Sequence, residues 1–226
     1  MRWNVKYFHM GKMIQKLNNL NNPESFIQVN TIRGFKYVDK AGELVNIYHR
    51  NNTAPQFTMG LDGLVMNDPK EKIEQLKVTS QEVWIKFAKP DSLDMISSIF
   101  SKEIHLILKV LEVEKVSRIG WRNYFVYEFQ NREKQDIYMK KIVPVKGAQL
   151  SILRFKVDTG KSFNANLGFQ PIEKNDDIKT PCILFDIDIF QNGEIEIKDI
   201  PTMLKNFRQY LADDHGFLSV INGTFE

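Results

Sequence analysis

Cysteine is almost absent: Cys182 stands alone among 226 residues. That excludes an intrachain disulfide framework and a cysteine-rich zinc site, and it suits a reducing cytoplasm. No segment approaches the roughly 18 consecutive apolar residues that a membrane-spanning helix needs. Residues 1 to 8 alternate Trp3, Val5 and Tyr7 with Arg2, Asn4 and Lys6, which reads as a strand and lacks the apolar centre of a signal peptide. The histidines His9, His49, His105 and His215 have no partner histidine one helical turn away, so a helical histidine metal motif is excluded. Gly160-Lys161-Ser162 imitates the end of a phosphate loop, but Phe155 stands where its first glycine belongs, so the segment reads as a turn. No nucleophile sits beside a credible base, which leans against an enzyme.

What is present is an ordinary globular composition. The chain is 42% hydrophobic and 26% charged, and its 16 Phe, 7 Tyr and 3 Trp supply a core that needs no staples. The net charge of +3 is unevenly spread along the chain. Residues 118 to 161 carry 10 basic against 4 acidic side chains, and residues 162 to 226 carry 5 against 11. A basic middle followed by an acidic end either steers a partner or reflects complementary neighbouring elements.

Periodicity predicts a short helix over 10 to 20, ended by Asn21-Asn22-Pro23, and then short strands at 25 to 33, 35 to 38, 44 to 49 and 56 to 59. Residues 60 to 69 read as a loop. A strand at 78 to 88 leads through Pro90 to a helix capped by Asp91, whose apolar stripe is Leu93, Ile96, Ile99, Phe100, Ile107, Val110 and Leu111. A long strand follows at 116 to 130. Further strands are expected near 149 to 158 and 163 to 170, then a polar loop over 171 to 180, and a closing helix from Pro201 to about Asp213. The recurrence of a strand followed by a proline-started helix, Ile85 to Phe100 and Ile195 to Leu211, hints at duplication. The fold class is α+β: mostly antiparallel sheet, one long central helix and a C-terminal amphipathic helix. Residues 1–77 form a strand-rich region and 78–226 an α+β core of two sheet-and-helix units, or the two are one continuous domain.

The stretch from Ile183 to Lys198 carries the sharpest expectation. Alternation on both sides of Asn192-Gly193 reads as a β-hairpin with a three-residue loop, pairing Asp188 with Glu196 and Asp186 with Lys198. The acidic face is then either a solvated ladder or the Asp and Glu-x-Lys arrangement of a metal-dependent nuclease. In that alternative Asp188 and Glu196 hold Mg²⁺ and Lys198 orients water. The ladder is the commoner outcome for so short a pattern.

A second cluster interleaves basic and aromatic residues. Arg118, Arg122 and Tyr124 share one strand face, with Arg132, Lys140 and Lys141 following, while Trp121 and Tyr127 point the other way. Such a surface suits a protein partner or nucleic acid bound without cleavage.

Ser117-Arg118-Ile119-Gly120-Trp121-Arg122-Asn123-Tyr124 resembles the Arg-Ile-Gly-Leu-Arg-Tyr-Ile-Asn strand motif of an uncharacterised, sporadically distributed prokaryotic protein family of similar length. Asp186-Ile187-Asp188 through Phe207 to His215-Gly216-Phe217 is similar to its closing strand, helix and aromatic tail, so the resemblance spans roughly residues 80 to 226. Trp121 replaces the family's Leu, and Asn123-Tyr124 inverts its order. The resemblance implies no particular activity; the patchy distribution of the family fits defence or mobile-element neighbourhoods. The expectation is a non-enzymatic cytoplasmic protein without cofactor, which binds a protein partner encoded nearby or a second copy of itself.

Overall fold

The computed structural model describes residues 20–31, 37–50, 56–60, 63–70, 72–142, 152–159, 161–174, 179–213 and 216–222. The expected strand at 1 to 8 and most of the expected helix at 10 to 20 lie outside them. Strand β1 (Asn21–Thr31) is followed by helix α1 (Tyr37–His49), then by β2 (Gln56–Gly60), β3 (Gly63–Lys70), β4 (Ile73–Val78) and β5 (Glu82–Ala88). Helix α2 (Leu93–Val110) leads to β6 (Lys115–Glu128), α3 (Arg132–Ile142), β7 (Leu153–Asp158), β8 (Asn164–Glu173) and β9 (Pro181–Glu196). A 3₁₀ turn, Ile197–Asp199, then opens α4 (Ile200–Ala212), and α5 (Phe217–Ile221) ends the described chain.

The nine described strands join one antiparallel sheet in the order β2-β3-β4-β5-β1-β6-β9-β8-β7. Strands from residues 1–77 and from 78–226 therefore interleave, with β1 between β5 and β6. Read outward from the β1/β6 seam, β1-β5-β4-β3 on one side corresponds to β6-β9-β8-β7 on the other. Each set is threaded by equivalent helices, α1 and α2 in the first, α3 and α4 in the second. That is the order a duplicated unit would give, with β2 added to the first copy.

Among the described residues only one face of the sheet is covered. Ile27, Val29, Val83, Ile85, Ile119, Trp121, Phe125, Ile187 and Leu167 are buried with the inward stripes of α2 and α4 in one apolar cluster, while their strand neighbours, Gly120 and Gly168 apart, stay at least partly exposed. In place of a single central helix, α1, α2 and α4 form a layer: α2 packs on both α1 and α4. Arg208 of α4 donates to Asp94 of α2 at 2.7 Å. Ser92, rather than Asp91, caps α2 by accepting from the Met95 N–H at 3.1 Å. Buried Glu103 of α2 accepts from Tyr48 of α1 at 2.9 Å and from Lys70 of β3 at 2.8 Å, which pins three elements together.

Three further expectations are corrected, and one helix was not foreseen. The 183 to 198 hairpin does not form: β9 runs straight through Asn192-Gly193, because β6 and β8 pair with it on both sides and β6 is 14 residues long. Gly193, at φ +118°, serves a β-bulge where β9 spans Asn192 to Ile195 against Arg118 to Val116. Residues 37 to 49 form a helix, not strands, since Tyr37, Ala41, Leu44, Val45 and Tyr48 recur at helical spacing and are all buried. The glycine- and proline-bearing stretch 63 to 70 is strand β3, paired to β4 with an irregularity after Asn67 that accommodates Pro69. Helix α3 was not signalled by an apolar stripe; Asn131 starts it by accepting from the Lys134 N–H at 3.0 Å.

Candidate functional site

The uncovered face of the sheet gathers the chemistry. Register aligns Lys86, Phe26, Arg122, Asp188, Asn166 and Lys156 in one row across β5, β1, β6, β9, β8 and β7. The neighbouring row carries Glu24, Tyr124, Asp186, Gly168 and Arg154. The first row crosses five inter-strand gaps, about 24 Å, and the second four, about 19 Å.

At the centre, Arg122 reaches diagonally to Asp186 with a two-pronged contact, Nε to Oδ1 at 2.7 Å and Nη2 to Oδ2 at 2.6 Å. Its guanidinium also lies 5.1 Å from the centre of the Tyr124 ring. Arg118 donates to Asp188 at 3.2 Å and stacks 4.9 Å over Phe190. Gly120 makes that reach feasible: a Cβ there would lie 2.9 Å from the Arg118 guanidinium. Phe26 meets Trp84 and Tyr124 edge to face, each at 6.1 Å.

Electrostatics follow from this packing. Burial pushes the Asp188 carboxyl above its ordinary range, and the nearby Arg118 and Arg122 offset only part of that. The Asp186 hydrogen bonds hold Arg122 firmly protonated. Burial likewise raises Tyr124.

Two adjoining depressions result, sharing Arg122 and Asp188. One, of about 260 Å³, is lined by Phe26, Gln28, Glu82, Trp84 and Tyr124. The other, of about 380 Å³, is lined by Arg154, Lys156, Asn166, Gly168 and Asp186. Gly168 keeps its floor low, since a Cβ would meet that of Asp186 at 3.2 Å. Among the described residues Arg154 and Lys156 make no ion pair, whereas Lys86, Arg118 and Arg122 each face a carboxylate.

Of the residues expected at a site, Arg118, Arg122, Tyr124 and Asp188 come together here. Glu196 and Lys198 do not: Glu196 lies eight residues farther along β9, about 25 Å away. It pairs with Lys115 at 3.2 Å, and Lys198 is exposed in the 3₁₀ turn. The Asp188, Glu196, Lys198 nuclease arrangement is thereby dismantled with the hairpin that supported it. Among the described residues no three His, Cys, Asp or Glu side chains converge as metal ligands. Arg132, Lys140 and Lys141 belong to α3: Arg132 pairs with Glu173 at 2.5 Å, Lys141 donates to the Asn222 carbonyl at 2.6 Å, and Lys140 is exposed.

Sequence reasoning missed Phe26, Trp84, Arg154 and Lys156. The alternation of 83 to 87 does set Trp84 and Lys86 opposite Ile85, but nothing local says that β5 and β6 flank the same strand. No protein-family model matches the chain, and no curated protein matches it. No helix among the described residues is long and apolar enough to cross a membrane.

Proposed function

We propose that the chain is a non-enzymatic binding protein whose working surface is the open centre of its sheet, and that it engages a protein partner there. The observation that carries the reading is the company kept by Arg122: Trp84, Phe26, Tyr124 and Phe190 surround two arginines already oriented by Asp186 and Asp188. Tryptophan, tyrosine and arginine dominate the energetics of protein interfaces, and side chains held in place before contact lose less freedom on binding. The near balance of acid and base across the central strands favours a protein over a polyanion. The lone, buried Cys182 accords with a reducing cytoplasm, and the family resemblance suggests a partner from a neighbouring defence or mobile-element gene.

Co-expression of the tagged chain with each product of its flanking genes, followed by size-exclusion chromatography, tests this. A complex, or a homo-oligomer, should form and weaken at least tenfold on combined Trp84→Ala and Arg122→Ala, while Lys109→Ala on the helical side leaves it intact. An assembly indifferent to the open-face pair would overturn the reading.

A second reading, nucleic acid held without cleavage, draws on the uncompensated Arg154 and Lys156 beside the aromatic depression. It expects a single-stranded 20-mer to bind with affinity that falls steeply with salt and drops on Arg122→Ala. A flat salt response would end it.

A further inference from the structure

Strand β7 ends the described part of the sheet. It pairs with β8 from Leu153 opposite Phe169 to Asp158 opposite Asn164, and no described residue pairs with its outer row of backbone donors and acceptors. Leu153 and Val157 turn toward the core, where they pack against it. Arg154 and Lys156 stand on the open face, exposed, and no carboxylate among the described residues neutralises either. They are two residues apart, about 6.7 Å along a strand, the spacing at which alternate side chains of an adjoining strand would lie beside them.

We infer that the β7 edge is a docking site for an extended segment of a protein partner that carries Asp or Glu at alternate positions, added to the sheet alongside β7. The inference rests on the protein-binding reading above and names the chemistry of that partner. Its backbone would satisfy the outer row of β7. Its acidic side chains would face Arg154 and Lys156, and its intervening apolar side chains would extend the layer begun by Leu153 and Val157. Charge complementarity decides the occupant. The two cations border the depression that also holds Arg122, so long side chains at 154 and 156 can meet a carboxylate from either side. A polyphosphate chain crossing the same face would run next into Asp186 and Asp188, whereas an acidic strand lying along the edge stays clear of them. The opposite edge offers no such selection: β2 is five residues long, fully exposed, and presents Phe57 and Met59 without a charged neighbour of its own strand.

The test uses two blocked heptapeptides of equal charge, Gly-Asp-Val-Asp-Val-Asp-Gly and Gly-Asp-Asp-Asp-Val-Val-Gly, and a single-stranded DNA 7-mer, each titrated into the ¹⁵N-labelled full chain. The alternating peptide should bind with shift changes concentrated in β7 and β8, at least tenfold more tightly than the contiguous one. Combined Arg154→Glu and Lys156→Glu should weaken it at least tenfold, and Arg154→Gln with Lys156→Gln, which keeps length and removes charge, should fall between. Equal affinity for the two peptides, indifference to both double variants, preference for the DNA, or no binding at millimolar peptide would each overturn the inference. Failure here leaves intact a complex that Trp84→Ala and Arg122→Ala disrupt. Conversely, loss of that complex as a finding leaves peptide binding at β7 to be read on its own.

Discussion

Asp188 sits where two opposing influences meet, and burial wins. Its carboxyl titrates above its ordinary 3.8 because desolvation outweighs Arg118 and Arg122. The folded state thus holds this proton more tightly than the unfolded chain does. The associated stabilisation is complete below about pH 3.8 and is lost as pH rises through the folded value. Asp188→Asn removes the titration, so the stability of that variant relative to the natural chain should climb over this window, as urea unfolding at stepped pH would record. Gly120→Ala provides an independent handle. The added methyl would meet the Arg118 guanidinium at 2.9 Å and push a flexible side chain off Asp188, with little strain elsewhere. Losing one of the groups that lower it, the Asp188 carboxyl should titrate still higher in a ¹³C NMR titration. An unchanged or lowered value would show that Arg118 does not act on Asp188 as the geometry indicates.

At the scale of elements, β9 shows how a strong local signal can be overruled. Asn192-Gly193 between alternating runs is what a hairpin needs, and the left-handed freedom of Gly193 is indeed used. It is spent on a bulge, because pairing one continuous strand with both β6 and β8 satisfies far more backbone than folding it on itself. Gly193→Ala should therefore cost about 1–3 kcal/mol through backbone strain alone, since nothing lies within 4 Å of the added carbon. Asn192→Ala should stay within about 0.5 kcal/mol, as exposed substitutions do. Chemical denaturation checks both, and equal stabilities would show that the bulge does not require the left-handed residue. The same contest explains what was legible. Strong alternation placed β5, β6 and the face shared by Arg118, Arg122 and Tyr124 correctly, since a period of two is read from neighbours in sequence. Helix α1 was hidden by its aromatic and β-branched residues, Tyr37, Val45, Ile47 and Tyr48, and α3 by its polar composition. Asp188 and Glu196 were misjoined because which strands are neighbours is a property of the whole sheet.

The whole molecule is organised about the β1/β6 seam. Strand β1 comes from the start of the described chain and β6 from its middle, yet they pair along most of their length, Glu24 with Tyr124 through Asn30 with Arg118. Beneath them Trp121 donates to Ser25 at 2.8 Å, and Ser25 donates to Asn123 at 2.8 Å, a buried polar chain that ties one half to the other. Helices α2 and α4, one from each half, pack together over the same seam. Each half would lose apolar partners if the other were removed: Ile27 lies opposite Trp121, and Phe100 and Phe207 belong to one continuous cluster. A duplicated order of elements thus does not imply two independent folding units here. Unfolding should be a single transition, and hydrogen exchange should report one global opening free energy for the central amides of β1, β5, β6 and β9, with β2 and β7 exchanging through smaller local openings. Ile27→Ala, about 2–5 kcal/mol for a buried side chain of this size, should lower the protection of β9 as much as that of β5. Loss confined to β5 and its neighbours would mean that the seam joins two cores rather than running through one.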